Sequence, residues 1–158
     1  MRFPFLPKLE EPAYANLQTL EGLDASSGDV IQPFVTDRPV LVVVWVNTNE
    51  DLAWEQWQHL ASVADHPHMD LVEVVVMSTE GLEEMEAHSK KVGFPPDTRY
   101  HFVHIPRDEL LTVYKKRTLD SRAATWVYLH KEPVFAQKGR LVPPREWLEV
   151  LQWEQVAF

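Results

Sequence analysis

RPVLVVVWVNTNEDLAWEQWQHL, Arg38 to Leu60, carries the pattern that decides the fold. Its opening run Val40 to Val46 is rich in β-branched residues and far too short to span a membrane, so it predicts a strand buried on both faces. Polar Asn47, Thr48 and Asn49 end that run. Glu50 and Asp51 then open a segment in which Ala53, Trp57, Leu60, Ala61 and Ala64 recur at helical spacing, with the acids at the end where the macrodipole favours negative charge. A buried strand running straight into a helix N-terminus brings free backbone N–H groups together, and many α/β proteins place their chemistry there.

Working outward toward the amino terminus, Asp24 to Gly28 (DASSG) is turn chemistry, and it precedes the apolar residues Val30, Ile31, Phe34 and Val35. With the β-leaning stretch Ala13 to Leu20 before them, these residues predict a short β pair. Residues 1–12 read as an extended arm, since Pro4, Pro7 and Pro12 fix φ and remove donors; Phe3, Phe5 and Leu6 are expected to pack on the domain.

Toward the carboxyl terminus, the first helix should end near Asp65–Pro67. Leu71 to Met77, LVEVVVM, is a second nearly all-apolar strand, and Ser78 or Thr79 can cap a helix running to about Val92. Two buried strands joined by a helix make a βαβ unit with a parallel pair. Pro95, Pro96 and Asp97 break the chain; Tyr100 to Ile105 can extend, and Arg107 to Arg117 reads as one helix with Leu110, Leu111 and Tyr114 inward. Ala124 to His130 and Pro133 to Gln137 form a hairpin, and Pro143-Pro144 starts a last helix with Trp147, Leu148 and Leu151 on one face.

At 158 residues and 45% hydrophobic, the chain has enough core for one globular domain. A formal charge of -9 argues against nucleic acid and anionic membrane surfaces as partners, both of which need a basic footprint. Lys115-Lys116-Arg117 and Lys138-Gly139-Arg140 read as solvated helix ends or turns. There is no cysteine, which excludes disulfides, thiol catalysis, thiolate metal sites and Fe–S clusters. The opening MRFPFLPKLEEP lacks the apolar segment of a signal peptide and no transmembrane-length run follows, so a cytoplasmic protein without membrane insertion is expected.

Other chemistries find little support. Adjacent Glu50 and Asp51 point to different sides of a helix, a poor arrangement for acid and base work on one substrate. Ser78 and Thr79 lack a glycine elbow, and with five glycines there is neither a dinucleotide fingerprint nor a phosphate loop. No cofactor is expected. His66 and His68, alternating with Asp65 and Asp70 in one loop, are the weak metal candidates, though no second ligand set accompanies them. His101 and His104 stand three apart on an expected strand and so face opposite ways.

The order of elements, the strand ending in Trp45, LVEVVVMS followed by EGLEEMEAHSKKVGFP, and DELLTVYKKRTLDSRAATWVYLHKEPVFAQKG together resemble the thiol-disulfide oxidoreductases of the TlpA and ResA kind, over roughly Pro12 to Leu151. The resemblance implies a thioredoxin-like three-layer α/β/α sandwich with a mixed central sheet, as one domain over 13–158. It also implies an active-site position at Asn49-Glu50-Asp51-Leu52, where the family carries Cys-x-x-Cys, and a cis-proline position at Ala123. Both signatures are missing here. A non-proline cis bond is unfavourable by about 2.5–4 kcal/mol, so an ordinary trans peptide is expected at Ala123.

The residues at this position have two readings. One is that Asn49, Glu50 and Asp51 only cap and solubilise the helix. The other is a thiol-free surface that holds a protein partner, with Trp45, Trp54 and Arg122 as candidate contacts. The expected function is therefore a redox-inactive binding module of the adapter, assembly-factor or chaperone-like kind; the alternative is a metal-binding protein or an enzyme using non-thiol residues on the same scaffold.

Overall fold

The computed structural model describes residues 9–47, 50–81, 83–87, 99–151 and 153–156. Helix α1 (Tyr14–Leu17) precedes strands β1 (Gly22–Asp24), β2 (Val30–Ile31) and β3 (Val40–Val46). Helix α2 (Glu50–Ser62) and a 3-10 turn (Pro67–Leu71) lead to β4 (Val72–Ser78), after which residues 83–87 form α3. Strand β5 (Tyr100–His104), helices α4 (Arg107–Leu110) and α5 (Lys116–Leu119), strands β6 (Ala123–Leu129) and β7 (Glu132–Lys138), and helices α6 (Pro144–Val150) and α7 (Trp153–Val156) complete it.

The strands form one sheet in the order β2-β1-β5-β4-β3-β6-β7. β4 lies parallel to both β3 and β5, and the other pairs are antiparallel. Every residue of β3 is buried because both sheet faces are covered. Alternation along the strand divides the core. Val40, Val42, Val44 and Val46 meet Trp57 and Leu60 of α2, Met85 of α3, and Trp147 and Leu148 of α6. Leu41, Val43 and Trp45 meet Tyr14 and Leu17 of α1, Leu110 of α4 and Leu119 of α5. The expected three-layer α/β/α sandwich with a mixed sheet is therefore observed, and β3, third from the β7 edge and fifth from the β2 edge, is its spine.

Local readings needed correction in three places. Ala13 to Leu20 contains a helical turn rather than a strand, because Tyr14 and Leu17, three residues apart, bury together against the sheet. The single helix expected over Arg107 to Arg117 is two short ones. Leu110 and Tyr114 are buried while Leu111 is 40% exposed; between the helices Lys115 is extended, its N–H taken by the Glu10 carboxylate. Helix α6, expected to be the last and to include Leu151, stops at Val150; Leu151, extended at ψ 135, is buried beyond its end, and α7 follows. The expected amino-terminal β pair forms, with Gly28 at φ 76 in its turn, but only Val30 and Ile31 of the second apolar group pair with β1.

One polar network sits inside this apolar frame. Glu73 of β4, 9% exposed, faces the same side as Val75 and Met77. Its carboxylate accepts from Arg38 Nε at 2.8 Å and Thr36 Oγ1 at 3.1 Å, and lies 2.6 Å from His101 Nε2. Arg38 also donates to the Asp70 carbonyl at 3.0 Å, and Arg99 to the Asp70 carboxylate at 3.2 Å. Because Glu73 pairs with Leu41, the network ties the beginnings of β3 and β4, the end of the sheet away from Val46. Expected faces are confirmed for the two histidines of β5: His101 touches Glu73, whereas His104 Nδ1 lies 2.7 Å from the Glu80 carbonyl.

Candidate functional site

The position singled out by the sequence is where β3 runs out. Val46 lies opposite Ala123 in the β3–β6 ladder, and the next residue, Asn47, donates its N–H to the Arg122 carbonyl at 3.0 Å. That bond continues the pairing one step past the strand, so the end of β3 and the loop entering β6 form one edge. Ala123 is fully buried and its carbonyl accepts from Gly139 N at 2.8 Å, which anchors the loop to the end of β7 as well. Ser121 braces it from the other side, its hydroxyl donating to the Thr118 carbonyl. No cis peptide occurs among the described residues, so the bond before Ala123 is trans.

Arg122 is exposed at this edge. The backbone of α2 begins at Glu50, three residues past Asn47, which puts the helix N-terminus at the same end of the sheet. Asn49 lies outside the described residues, and so do the side chains of Glu50, Asp51, Leu52 and Trp54. Trp45 is a correction. It stands on the face of β3 that packs against Tyr14, Leu110 and Trp126, fully buried, and cannot contact a partner. An apolar strand covered on both faces leaves neither set of alternating side chains free.

The histidine loop is likewise placed. His66 caps the 3-10 turn, its Nδ1 accepting from His68 N at 3.2 Å, and the His68 ring stacks on Trp153 at 4.1 Å between centroids. Among the described residues, no group of three or more His, Cys, Asp or Glu side chains is arranged to hold a metal.

A second cluster, which the sequence reading did not identify, lies on β6 and α5. The Glu10 carboxylate accepts from Lys115 N and Thr118 Oγ1, both at 2.7 Å. The Glu10 carbonyl accepts from Trp126 Nε1 at 2.7 Å, and the Pro12 carbonyl from the Tyr128 hydroxyl at 2.6 Å. Partial burial pushes the Glu10 carboxyl upward, but the bonds from Thr118 and Lys115 outweigh it and leave its pKa below the ordinary value. Tyr114 and Tyr128 are held far above theirs, first by burial and then by neighbouring groups: Tyr128 and Glu10 for Tyr114, Glu11 for Tyr128. Each half of the cluster is ordinary in sequence; contacts spanning 105 to 116 residues leave no local signal.

The three layers, the sheet order and the β3-to-α2 junction can now be set beside known structures. No protein-family model matches the chain, and no curated protein matches it in sequence. Solved structures do. A cysteine-to-serine variant of PrxQ from Xylella fastidiosa is 14% identical with a TM-score of 0.63, over 95% of this chain and 96% of that one. Peroxiredoxin Q from Xanthomonas campestris gives 13% and 0.61, over 95% and 96%. A candidate electron transfer protein from Aquifex aeolicus VF5 gives 10% and 0.62, over 84% and 90%. The fold is thioredoxin-like. At such identities the likeness concerns the fold alone, and this thioredoxin-like chain has no cysteine with which to perform thiol chemistry.

Proposed function

We propose that this chain is a redox-inactive thioredoxin-like domain that acts as a protein-binding module, of the adapter, assembly-factor or chaperone-like kind, in the cytoplasm. One observation carries the reading: the frame at the end of β3 is kept, with Asn47 bonded to Arg122 and Val46 paired with Ala123, in a chain that has no thiol to place there. A neighbour from Xanthomonas campestris is described by its alkyl peroxide reduction activity. Thiolate chemistry has no nucleophile in this chain. What the edge retains is an exposed arginine on a chain of net charge -9, beside a helix N-terminus, which suits an acidic or carbonyl-rich protein surface. Among the described residues, no helix is long and apolar enough to cross a membrane.

Affinity capture from the native cell tests this. The wild-type chain should return a stoichiometric partner, and Arg122→Glu should lose most of it while keeping the same melting temperature. Repeated capture of nothing, or capture indifferent to Arg122→Glu, would remove the edge from consideration.

A further inference from the structure

Residues 10–12 are bound to the rest of the domain in the way a peptide is bound by a receptor. The carbonyls of Glu10 and Pro12, two residues apart, accept from Trp126 and Tyr128, two residues apart on one face of β6. Such main-chain bonds supply affinity without reading side chains. Selectivity comes from the Glu10 carboxylate, held by the Thr118 hydroxyl and the Lys115 N–H. The three side-chain donors are built into the core: Thr118, Trp126 and Tyr128 are all buried. Donors buried in this way need acceptors, and residues 10–12 supply one to each of the three.

The chain's own segment does not exhaust what the groove offers. Tyr114 is 2% exposed, its ring centroid is 4.7 Å from that of Trp126, and among the described residues its hydroxyl has no hydrogen-bond partner. A buried donor without an acceptor is unfavourable by roughly 1–3 kcal/mol, and a ligand with one more oxygen would meet it. The groove also adjoins the edge described above, since Thr118 binds Glu10 through its hydroxyl and Ser121 through its carbonyl.

We propose that this groove is a peptide-binding site that residues 10–12 occupy in cis, and that its ligand in trans is a partner protein's acidic segment of the Glu-x-Pro pattern. The inference rests on the reading of the domain as a binding module and names the class of segment it would take. The tethered residues compete at an effective concentration of roughly millimolar, so weakening them should favour an external peptide.

The test uses the full chain and a fluorescently labelled peptide of residues 9–15, LEEPAYA, with anisotropy as the readout. Glu10→Gln should bind the peptide at least tenfold more tightly than wild type. A peptide with Gln in place of its first Glu should bind that variant at least tenfold more weakly, a result that no folding defect of the protein can imitate. In the Glu10→Gln background, Thr118→Val should weaken the peptide and Thr118→Ser should retain it. Equal binding by wild type and Glu10→Gln, or indifference to the peptide's own Glu, overturns the proposal. So does a concentration-dependent wild-type dimer broken by Glu10→Gln, which would make the occupant a second copy's arm. Failure of the peptide with capture through Arg122 intact removes the groove alone; failure of both removes the binding-module reading too.

Discussion

Replacing Glu73 by alanine should destabilise the protein by about 3 kcal/mol, and the structure indicates why the value lies there. The carboxylate has three partners, Arg38, His101 and Thr36, at 2.8, 2.6 and 3.1 Å. Hydrogen bonds to charged groups are worth roughly 1.5–3 kcal/mol each, and removing one member of a buried pair typically loses about 3–5 kcal/mol because the other is left uncompensated. Here the lower end applies. The Arg38 and His101 side chains are 28% and 24% exposed, so water recovers part of the loss, and Arg38 keeps its bond to the Asp70 carbonyl. Glu73→Gln, which keeps the shape and one acceptor oxygen, should lose about 1–2 kcal/mol. Urea unfolding followed by tryptophan fluorescence, with six tryptophans in the chain, measures both. In a thermal melt the alanine variant should fall by roughly 6–12 °C, at about 2–4 °C per kcal/mol for a chain of this size. A loss under about 1 kcal/mol with an unchanged denaturant slope would refute the reasoning, since it would mean that Arg38 and His101 are as well solvated without Glu73 as with it.

Three further outcomes are expected. Because the Glu10 pKa is lower folded than its ordinary value of 4.5, its contribution is present above that value and lost as pH falls through the folded pKa; Glu10→Gln should therefore flatten the acid limb of the stability–pH curve, and an unchanged limb would contradict the assignment. Tyr114 and Tyr128 titrate above their ordinary value of 10.0, so their contribution is complete below it and lost as pH rises beyond it; Tyr114→Phe should make alkaline unfolding shallower, as followed by tyrosinate absorbance. At the β6–β7 turn His130 and Lys131 have φ 49 and 70, a turn that favours Asn-Gly, so the double change His130→Asn, Lys131→Gly should stabilise by about 0.5–1 kcal/mol even after losing the Lys131 ammonium 5.5 Å over the Tyr14 ring. A lower melting temperature would show that the ammonium contact outweighs the backbone strain.

The parts of the fold legible in sequence were those with local periodicity. Val40 to Val46 and the LVEVVVM run predicted two buried strands, and both are found paired in parallel. The hairpin was legible from its apolar runs and Lys131-Glu132. The break between α4 and α5 was not, because the group that takes the Lys115 N–H is Glu10, far away in the chain. Trp45 was misplaced for a related reason: the apolar run predicts burial on both faces, and that inference, followed through, already denies its tryptophan to a partner. Glu73 carries a signal in the sequence, a single carboxylate within an apolar strand, which requires a polar or charged partner where it is buried.

The sequence by itself determined the class of fold and the absence of thiol chemistry, because strand burial, helix periodicity and the lack of cysteine are properties of single residues and their near neighbours. Tertiary structure alone decided which groups meet across the sheet. Arg38 and His101 converge on Glu73, and residues 10–12 lie on Trp126 and Tyr128, only because β6 is set beside β3 and β5 beside β4. Such pairings join residues 28 to 116 apart in the chain, and no spacing rule read along a sequence reaches that far.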